Sequence, residues 1–344
     1  MPVIRKTFGR LNDGRNVDSL VLMQPRGDFS VEILEYGATI RAIHVPNAGG
    51  CMMNAVLSYD TLGDYEAGNL YLGATIGRCA GRIDAHAHAT LRLTCNESCN
   101  HLHGGEIGFS HSLWETVAVE DRGVPRVQLR HRSPAGEDGY PGAVTVDAEF
   151  ALVDDFVLRA TLQARSDADT PLNLTLHPYF NLNGGPGSTI ANHRLRINAA
   201  EMLPLDAKCL PTGEVVSVAR TPFDFRRARE IGRALDDANA QLRIAGGYDH
   251  YFVLDGNGGA AADVFSPRSS LGVRIETNQK GMQFYSGNRL ADGTPLRFPA
   301  RSALCLEPHA FPNAINEPGF PDITLRAGDV YRHETTYAFY HGAT

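Results

Sequence analysis

Apolar and polar residues alternate with a period of two over long stretches of this chain. Between Ala143 and Val153, Val144, Val146, Ala148, Phe150 and Leu152 share one face, while Thr145, Asp147 and Glu149 share the other. The next run repeats the pattern, with Phe156, Leu158, Ala160, Leu162 and Ala164 set against Arg159, Thr161, Gln163 and Arg165. Only Asp154-Asp155 separates the two runs. Alternation on both sides of a short polar turn predicts an antiparallel hairpin with one buried face. The same reasoning predicts strands over 29–36, 40–45, 126–132, 273–277 and 334–340. A helical period occurs over 226–243, where Ile231, Ala234, Leu235, Ala238 and Leu242 form one stripe and predict a helix. Glycines and prolines (35 and 19) break the pattern at short intervals, as many hairpins require. No long linker divides the chain. One large antiparallel all-β domain over 1–344 is therefore expected, either a closed barrel or a two-sheet sandwich.

Composition narrows the partners. The net charge is −7 and the basic residues are scattered, so no basic stripe is available for nucleic acid. No apolar run is long enough to cross a bilayer, and the first residues lack the apolar stretch of a secretory signal. The six cysteines are few for 344 residues and irregularly spaced, which predicts reduced thiols and a cytoplasmic protein. No dinucleotide-binding glycine pattern, phosphate-cradling loop or nucleophilic serine elbow is present. A site without cofactor, working by acid–base chemistry or carbohydrate binding, is what remains.

The candidate chemistry gathers in six segments. The apolar run Ala303–Leu306 ends in Glu307, and burial there would raise the carboxyl pKa toward that of a useful base. Because Pro308 follows, the strand is expected to break and leave Glu307 at a rim, free to act or paired to an arginine. His177 ends a second apolar run and is flanked by Asn173, Asn181 and Asn183. A carboxylate and an imidazole so placed are candidates for a general base and a general acid, although a lone histidine in an apolar strand is more often a satisfied core residue. Gly77–Ile83 carries Arg78 and Arg82 among small residues, where a guanidinium fork suits vicinal oxygens, although two solvated arginines are the simpler reading. His101 and His103 alternate on an expected strand and point the same way, next to Gly104-Gly105. With His86, His88, Cys95 and Cys99 they crowd one stretch, but the spacing matches no standard zinc pattern, so no metal is expected. Tyr140 in the 136–142 loop is a candidate sugar-stacking ring. Gly246-Gly247 deliver Asp249 to the start of an apolar strand, as a ligand for sugar hydroxyls or as a turn residue.

Taken in order, these segments resemble the aldose 1-epimerase (galactose mutarotase) family from about Tyr71 to Phe339. The resemblance rests on Gly-Arg-x-Ala-x-Arg-Ile at 77–83, Asn-x-Leu-His-Gly-Gly at 100–105 and Gly-Tyr-Pro-Gly at 139–142. Thr-Pro-Leu-Asn-Leu-Thr-x-His at 170–177, Tyr-Asp-His at 248–250 and Leu-Glu-Pro at 306–308 complete it. It implies a large antiparallel β-sandwich of the galactose mutarotase type with a sugar in its cleft. It also implies Glu307 as general base and His177 as general acid, with Arg82, His103 and Asp249 holding a free aldose such as galactose, glucose or a pentose. No cofactor, a monosaccharide as sole partner and a monomer or weak homodimer are expected. Gly81 replaces an asparagine common in the family, and His309 stands where glutamine is frequent; both departures bear on which sugar is preferred. A hexose-phosphate mutarotase, which needs extra basic residues such as Arg227 or Arg289 turned inward, is the alternative. A binding or cleaving protein on the same sandwich is the other, with Glu307 and Asp249 as the carboxylate pair a hydrolase needs.

Overall fold

The computed structural model describes residues 3–342 apart from 186, 236, 237, 257 and 297. Every predicted strand forms, extended or trimmed by a few residues: Ser30–Leu34, Thr39–Pro46, Arg126–Ser133, Leu271–Thr277 and Tyr331–His341. The two alternating runs pair as a hairpin, Val144–Asp154 against Val157–Ser166, in register from Val144↔Ser166 to Leu152↔Leu158. They lie within an antiparallel sheet of nine strands that runs from Arg229–Glu230 at one edge to Glu115–Glu120 at the other. This sheet has two free edges and is not a closed barrel.

Two five-stranded antiparallel sheets cover its apolar face. One holds the N-terminal strands from Val3–Arg10 to Met52–Asn54; the other orders Val216–Ser217, Glu201–Met202, Asp249–Val253, Gly281–Tyr285 and Cys305–His309. Val146, Ala148, Phe150, Leu158 and Leu162 from the large sheet join Leu20, Val31, Ile33, Phe252, Met282, Phe284 and Leu306 in one continuous core. Fully burying each such side chain contributes about 1.5–3 kcal/mol. The sandwich thus follows from the period-two pattern.

The same pattern places the site. In three adjacent strands, Phe252, Met282, Phe284 and Leu306 face the core. The intervening residues Asp249, Tyr251, Gln283, Tyr285, Glu307 and His309 therefore project to the opposite face, where they line a cavity.

The helix expected over 226–243 is not one element. Arg229–Glu230 is a short edge strand, Ile231–Ala234 a tight 3₁₀ turn, and Ala240–Ala245 a short helix. Asn239 starts that helix by accepting from the Gln241 N–H, and Gly246 ends it at φ +69°. Ile231, Ala234, Leu235 and Leu242 are buried as the stripe predicts, while Ala238 is exposed. The apolar spacing is met by separate turns. Residues 236 and 237 lie outside the described residues.

Candidate active site

Cys305–His309 is one uninterrupted strand, paired with Gly281–Tyr285 through Met282↔Pro308 and Gln283↔Glu307. It is the edge strand of its sheet, where proline's missing N–H leaves no ladder bond unmade. Pro308 therefore does not break it, and Glu307 does not stand at a rim: it is 2% exposed, at the floor of the cavity. Among the described residues no arginine forms an ion pair with it. Its Oε1 lies 3.4 Å from Nε2 of His177, and its Oε2 has no hydrogen-bond partner among the described residues.

His177 follows the two-residue strand Thr175–Leu176, which pairs with Thr75–Ile76. Its Nδ1 lies 3.5 Å from the buried Sγ of Cys305, and its ring packs 5.1 Å from His103 and 4.9 Å from Tyr179. Arg82 begins a strand, Arg82–Asp84, paired with Asn100–Leu102, so Arg82 and His103 reach the same wall. His103 adopts φ +52° just past the strand, and its Nδ1 accepts a hydrogen bond from the Gly81 N–H at 3.3 Å. In the neutral ring, Nε2 then carries the proton and is a donor.

Arg82 is clamped between two carboxylates. Its Nε and Nη2 donate to Glu97 at 2.6 and 2.9 Å, and its Nη1 donates to Asp249 at 3.0 Å. The other Asp249 oxygen accepts from Gln283 at 2.7 Å. Gly247 makes the approach of Asp249 feasible: a Cβ there would lie 2.3 Å from the Asn288 side chain.

Burial dominates the electrostatics of the cavity floor. It pushes the Glu307 carboxyl well above its ordinary pKa, with the charge of Asp249 adding and that of Arg82 opposing. It pulls His177 down to about 4. His103 falls well below its ordinary value through burial and the neighbouring His177 and Arg82. Burial works against the Arg82 charge as well, but Asp249 and Glu97 outweigh it and hold that pKa above the usual range. The cavity measures about 340 Å³, near the lower end of the ~300–1,000 Å³ typical of small-molecule sites.

All five expected site residues, Glu307, His177, Arg82, His103 and Asp249, therefore line one cavity. Other readings are corrected. His101 and His103 do not point the same way. His101 turns inward, between the Thr94 carbonyl and the Tyr140 hydroxyl at 2.8 and 2.7 Å, because the strand ends at Leu102 and His103 takes a left-handed conformation. Tyr140 is buried behind the wall and faces no sugar. Neither arginine is solvated, since Arg78 is 2% exposed and braces loops through backbone carbonyls. Of the two distant arginines, Arg289 lines the cavity mouth and Arg227 does not. Sequence reasoning missed Gln283, Glu97 and Tyr71. Gln283 was detectable as the polar residue between Met282 and Phe284, whereas nothing local marks the other two.

Among the described residues, His103, His177 and Glu307 bring three ligand-type atoms within 4.8 Å of one another. Ligating histidines donate their second ring N–H to an acceptor, but here Nδ1 of His103 accepts instead. The tautomer that bond selects is a hydrogen-bond donor toward the cavity, which does not fit a metal ligand.

The fold and site together define a β-sandwich enzyme with a small polar cavity built around a buried carboxylate–imidazole pair. The family model described as aldose 1-epimerase matches residues 19–338, well before the first motif at Gly77. The chain is 37% identical to galactose mutarotase of Bos taurus, with 98% of each chain covered. It is 35% identical to aldose 1-epimerase of Escherichia coli (strain K12), over 98% of this chain and 99% of that one. The solved structure of galactose 1-epimerase from Lactobacillus acidophilus NCFM superimposes with a TM-score of 0.88 at 29% identity, covering 99% of both. The chain belongs to the aldose 1-epimerase family, a family of isomerases.

Proposed function

We propose that this protein interconverts the α and β anomers of a free aldose, with Glu307 and His177 exchanging protons with the sugar. The observation that carries this reading is the 3.4 Å approach of a buried carboxylate and a buried imidazole at the floor of a monosaccharide-sized cavity. In ring opening, the Glu307 carboxylate takes the C1 hydroxyl proton while the His177 imidazolium protonates the ring oxygen. The bond between C1 and the ring oxygen breaks, leaving an open-chain aldehyde, and rotation about C1–C2 presents its other face. In closure the C5 hydroxyl oxygen attacks C1, His177 takes its proton and Glu307 returns a proton to the C1 oxygen. Burial disfavours both charges, so the neutral pair is the resting form; once the Glu307 proton has passed to His177 across their 3.4 Å contact, the carboxylate is a stronger base and the imidazolium a stronger acid than either is in water. The neutral pair left behind is the form that closes the ring. His103 presents its Nε2–H to sugar oxygen, and Arg82 and Asp249 hold hydroxyls.

The charge balance favours a free sugar over a phosphorylated one. Both cationic side chains at the cavity already face carboxylates: Arg82 faces Glu97 and Asp249, and Arg289 lies 3.6 Å from Glu97. Asp292 also lines the mouth, so no net positive charge awaits a phosphate. Arg82 and Gln283 each donate to one Asp249 oxygen, which orients the carboxylate and leaves it lone pairs for sugar hydroxyls. Polarimetry of freshly dissolved α-D-galactose, α-D-glucose and α-D-xylose in EDTA-containing buffer tests the reading. Faster approach to an unchanged equilibrium rotation is expected. No acceleration on any of the three would defeat it.

A further inference from the structure

His309 borders the cavity, and one of its ring nitrogens is buried with no hydrogen-bond partner among the described residues. Its strand is that of Glu307, and the two side chains, separated by one residue, project from the same face. Strand rise places His309 about 7 Å further along the floor, beyond the reacting carbon if Glu307 engages C1. Nδ1 lies 2.5 Å from the Ala310 carbonyl, so Nδ1 carries the proton and Nε2 is left with its lone pair. Burial lowers the His309 pKa to about 4, which keeps the ring neutral near pH 7. Nε2 is buried without a hydrogen-bond partner among the described residues. An unmade hydrogen bond at a buried acceptor costs about 1–3 kcal/mol; of the four histidines with such a nitrogen among the described residues, His309 alone lines the cavity.

Small neighbours pack around the His309 ring. Gly81, at φ +76°, brings no side chain: a Cβ there would sit 2.8 Å from Pro312 and 3.8 Å from Cε1 of His309. Gly281, paired opposite His309, has no room for one either, since its Cβ would fall 2.2 Å from the Tyr251 ring. Tyr251 packs 5.2 Å from the imidazole and donates its hydroxyl proton to the His309 carbonyl, fixing the strand beneath the ring. Gly81, His309, Tyr251 and Pro312 all border the cavity.

We propose that Nε2 of His309 accepts a hydrogen bond from a sugar hydroxyl other than that on C1, which makes His309 a specificity-determining residue. The inference rests on the anomerase reading and deepens it. A hydroxyl that donates in this position satisfies the orphaned nitrogen, and a sugar lacking it leaves the nitrogen buried and unpaired. Sites built this way reject analogues lacking the group far better than apolar pockets reject an extra one.

The test is kinetic: kcat/KM for galactose and its 2-, 3-, 4- and 6-deoxy analogues, with the wild type, His309→Leu and His309→Gln. One deoxy sugar is expected to react about tenfold less efficiently than galactose with the wild type. With His309→Leu that penalty should vanish, because the variant loses on galactose and has nothing further to lose on the analogue. His309→Gln should restore it through its amide oxygen. An identical pattern of penalties in the wild type and His309→Leu overturns the proposal. Nitrogen NMR of the wild type supplies a reading that does not depend on a variant folding. Addition of saturating galactose should move the Nε2 resonance of His309 upfield, as at an acceptor, and an unmoved resonance overturns the assignment. Anomer exchange by the wild type is measured in the same samples. Its absence overturns the functional reading and this inference together; its presence with an unmoved nitrogen and an unchanged penalty pattern overturns His309 alone.

Discussion

Arg78 and Arg82 stand four residues apart in one short segment and live in opposite worlds. Arg78 is buried and forms no ion pair among the described residues. Its guanidinium donates to the carbonyls of Ser133, Pro134, Pro141 and Gly142 and to the Ser133 and Thr170 hydroxyls, tying three loops together. Burial consequently pulls its pKa down, with Glu137 opposing. Arg82 faces the cavity and is held by Glu97 and Asp249. The first arginine is a brace for the walls; the second is a charged group lining the cavity. Residue type and spacing are the same, so what separates their roles is which groups the fold brings opposite each one.

The largest effect expected from this division is on the cavity side. Glu307→Gln keeps size and hydrogen-bonding capacity but removes the base, and should lower kcat by about 10³-fold while the melting temperature stays or rises. A rise would reflect the loss of a carboxyl that burial disfavours. On the brace side, Arg78→Met leaves several carbonyls without a donor and should cost about 3–5 kcal/mol in urea unfolding, with kcat falling only as the fold loosens. Equal losses of activity and stability in both arginine variants would erase the distinction.

Acid sharpens it further. Burial lowers His333 to about 4, and its ring is bonded to the Leu174 carbonyl and the Thr335 hydroxyl deep in the sandwich. A histidine whose folded pKa lies below its unfolded value contributes stability in full above about 6.5, and loses it as pH falls toward 4. That single group accounts for on the order of 3 kcal/mol across the window. Thermal melts should therefore fall steeply from pH 6.5 to 4, and less steeply in His333→Gln. Glu307, whose pKa is raised, acts in the other direction: its stability contribution is present at low pH and is lost as pH rises through its folded value.

Smaller effects distinguish the layers of the cavity. Arg82→Met should reduce kcat/KM about a hundredfold by freeing Asp249 and Glu97 from their shared cation, with little change in melting temperature. Gln283→Leu removes one donor from Asp249 and should cost about tenfold, mostly in KM. An Arg82→Met loss no larger than that of Gln283→Leu would show that Arg82 does not organise the sugar.

Much of this architecture was legible in the residues. Period-two alternation identified the 144–166 hairpin and the strands that line the core, because half-buried strands leave that signature directly. It did not reveal how 226–243 would break up, since a stripe of apolar residues is satisfied equally by one helix or by consecutive short turns. The expectation of a rim for Glu307 failed for a related reason. Proline interrupts a strand only where its nitrogen must donate, and position on a sheet edge is a tertiary fact. The Glu307–His177 pair was visible as two apolar runs ending in polar groups, whereas Glu97 and Tyr71 reach the cavity from loops whose local sequence carries no signal. The separation of Arg78 from Arg82 was equally invisible, because it depends on carbonyls contributed from residues 133 to 142.

On the proposed mechanism the Glu307–His177 pair moves the proton of the anomeric centre. Magnetisation transfer between the α and β anomeric protons of galactose at equilibrium measures that step directly, and sugar titrations in the same tubes show whether each protein still binds. The wild type should exchange the two signals rapidly, while Glu307→Gln and His177→Asn bind galactose and exchange it at or near the uncatalysed rate. Wild-type exchange in a Glu307→Gln protein that binds galactose would contradict the claim.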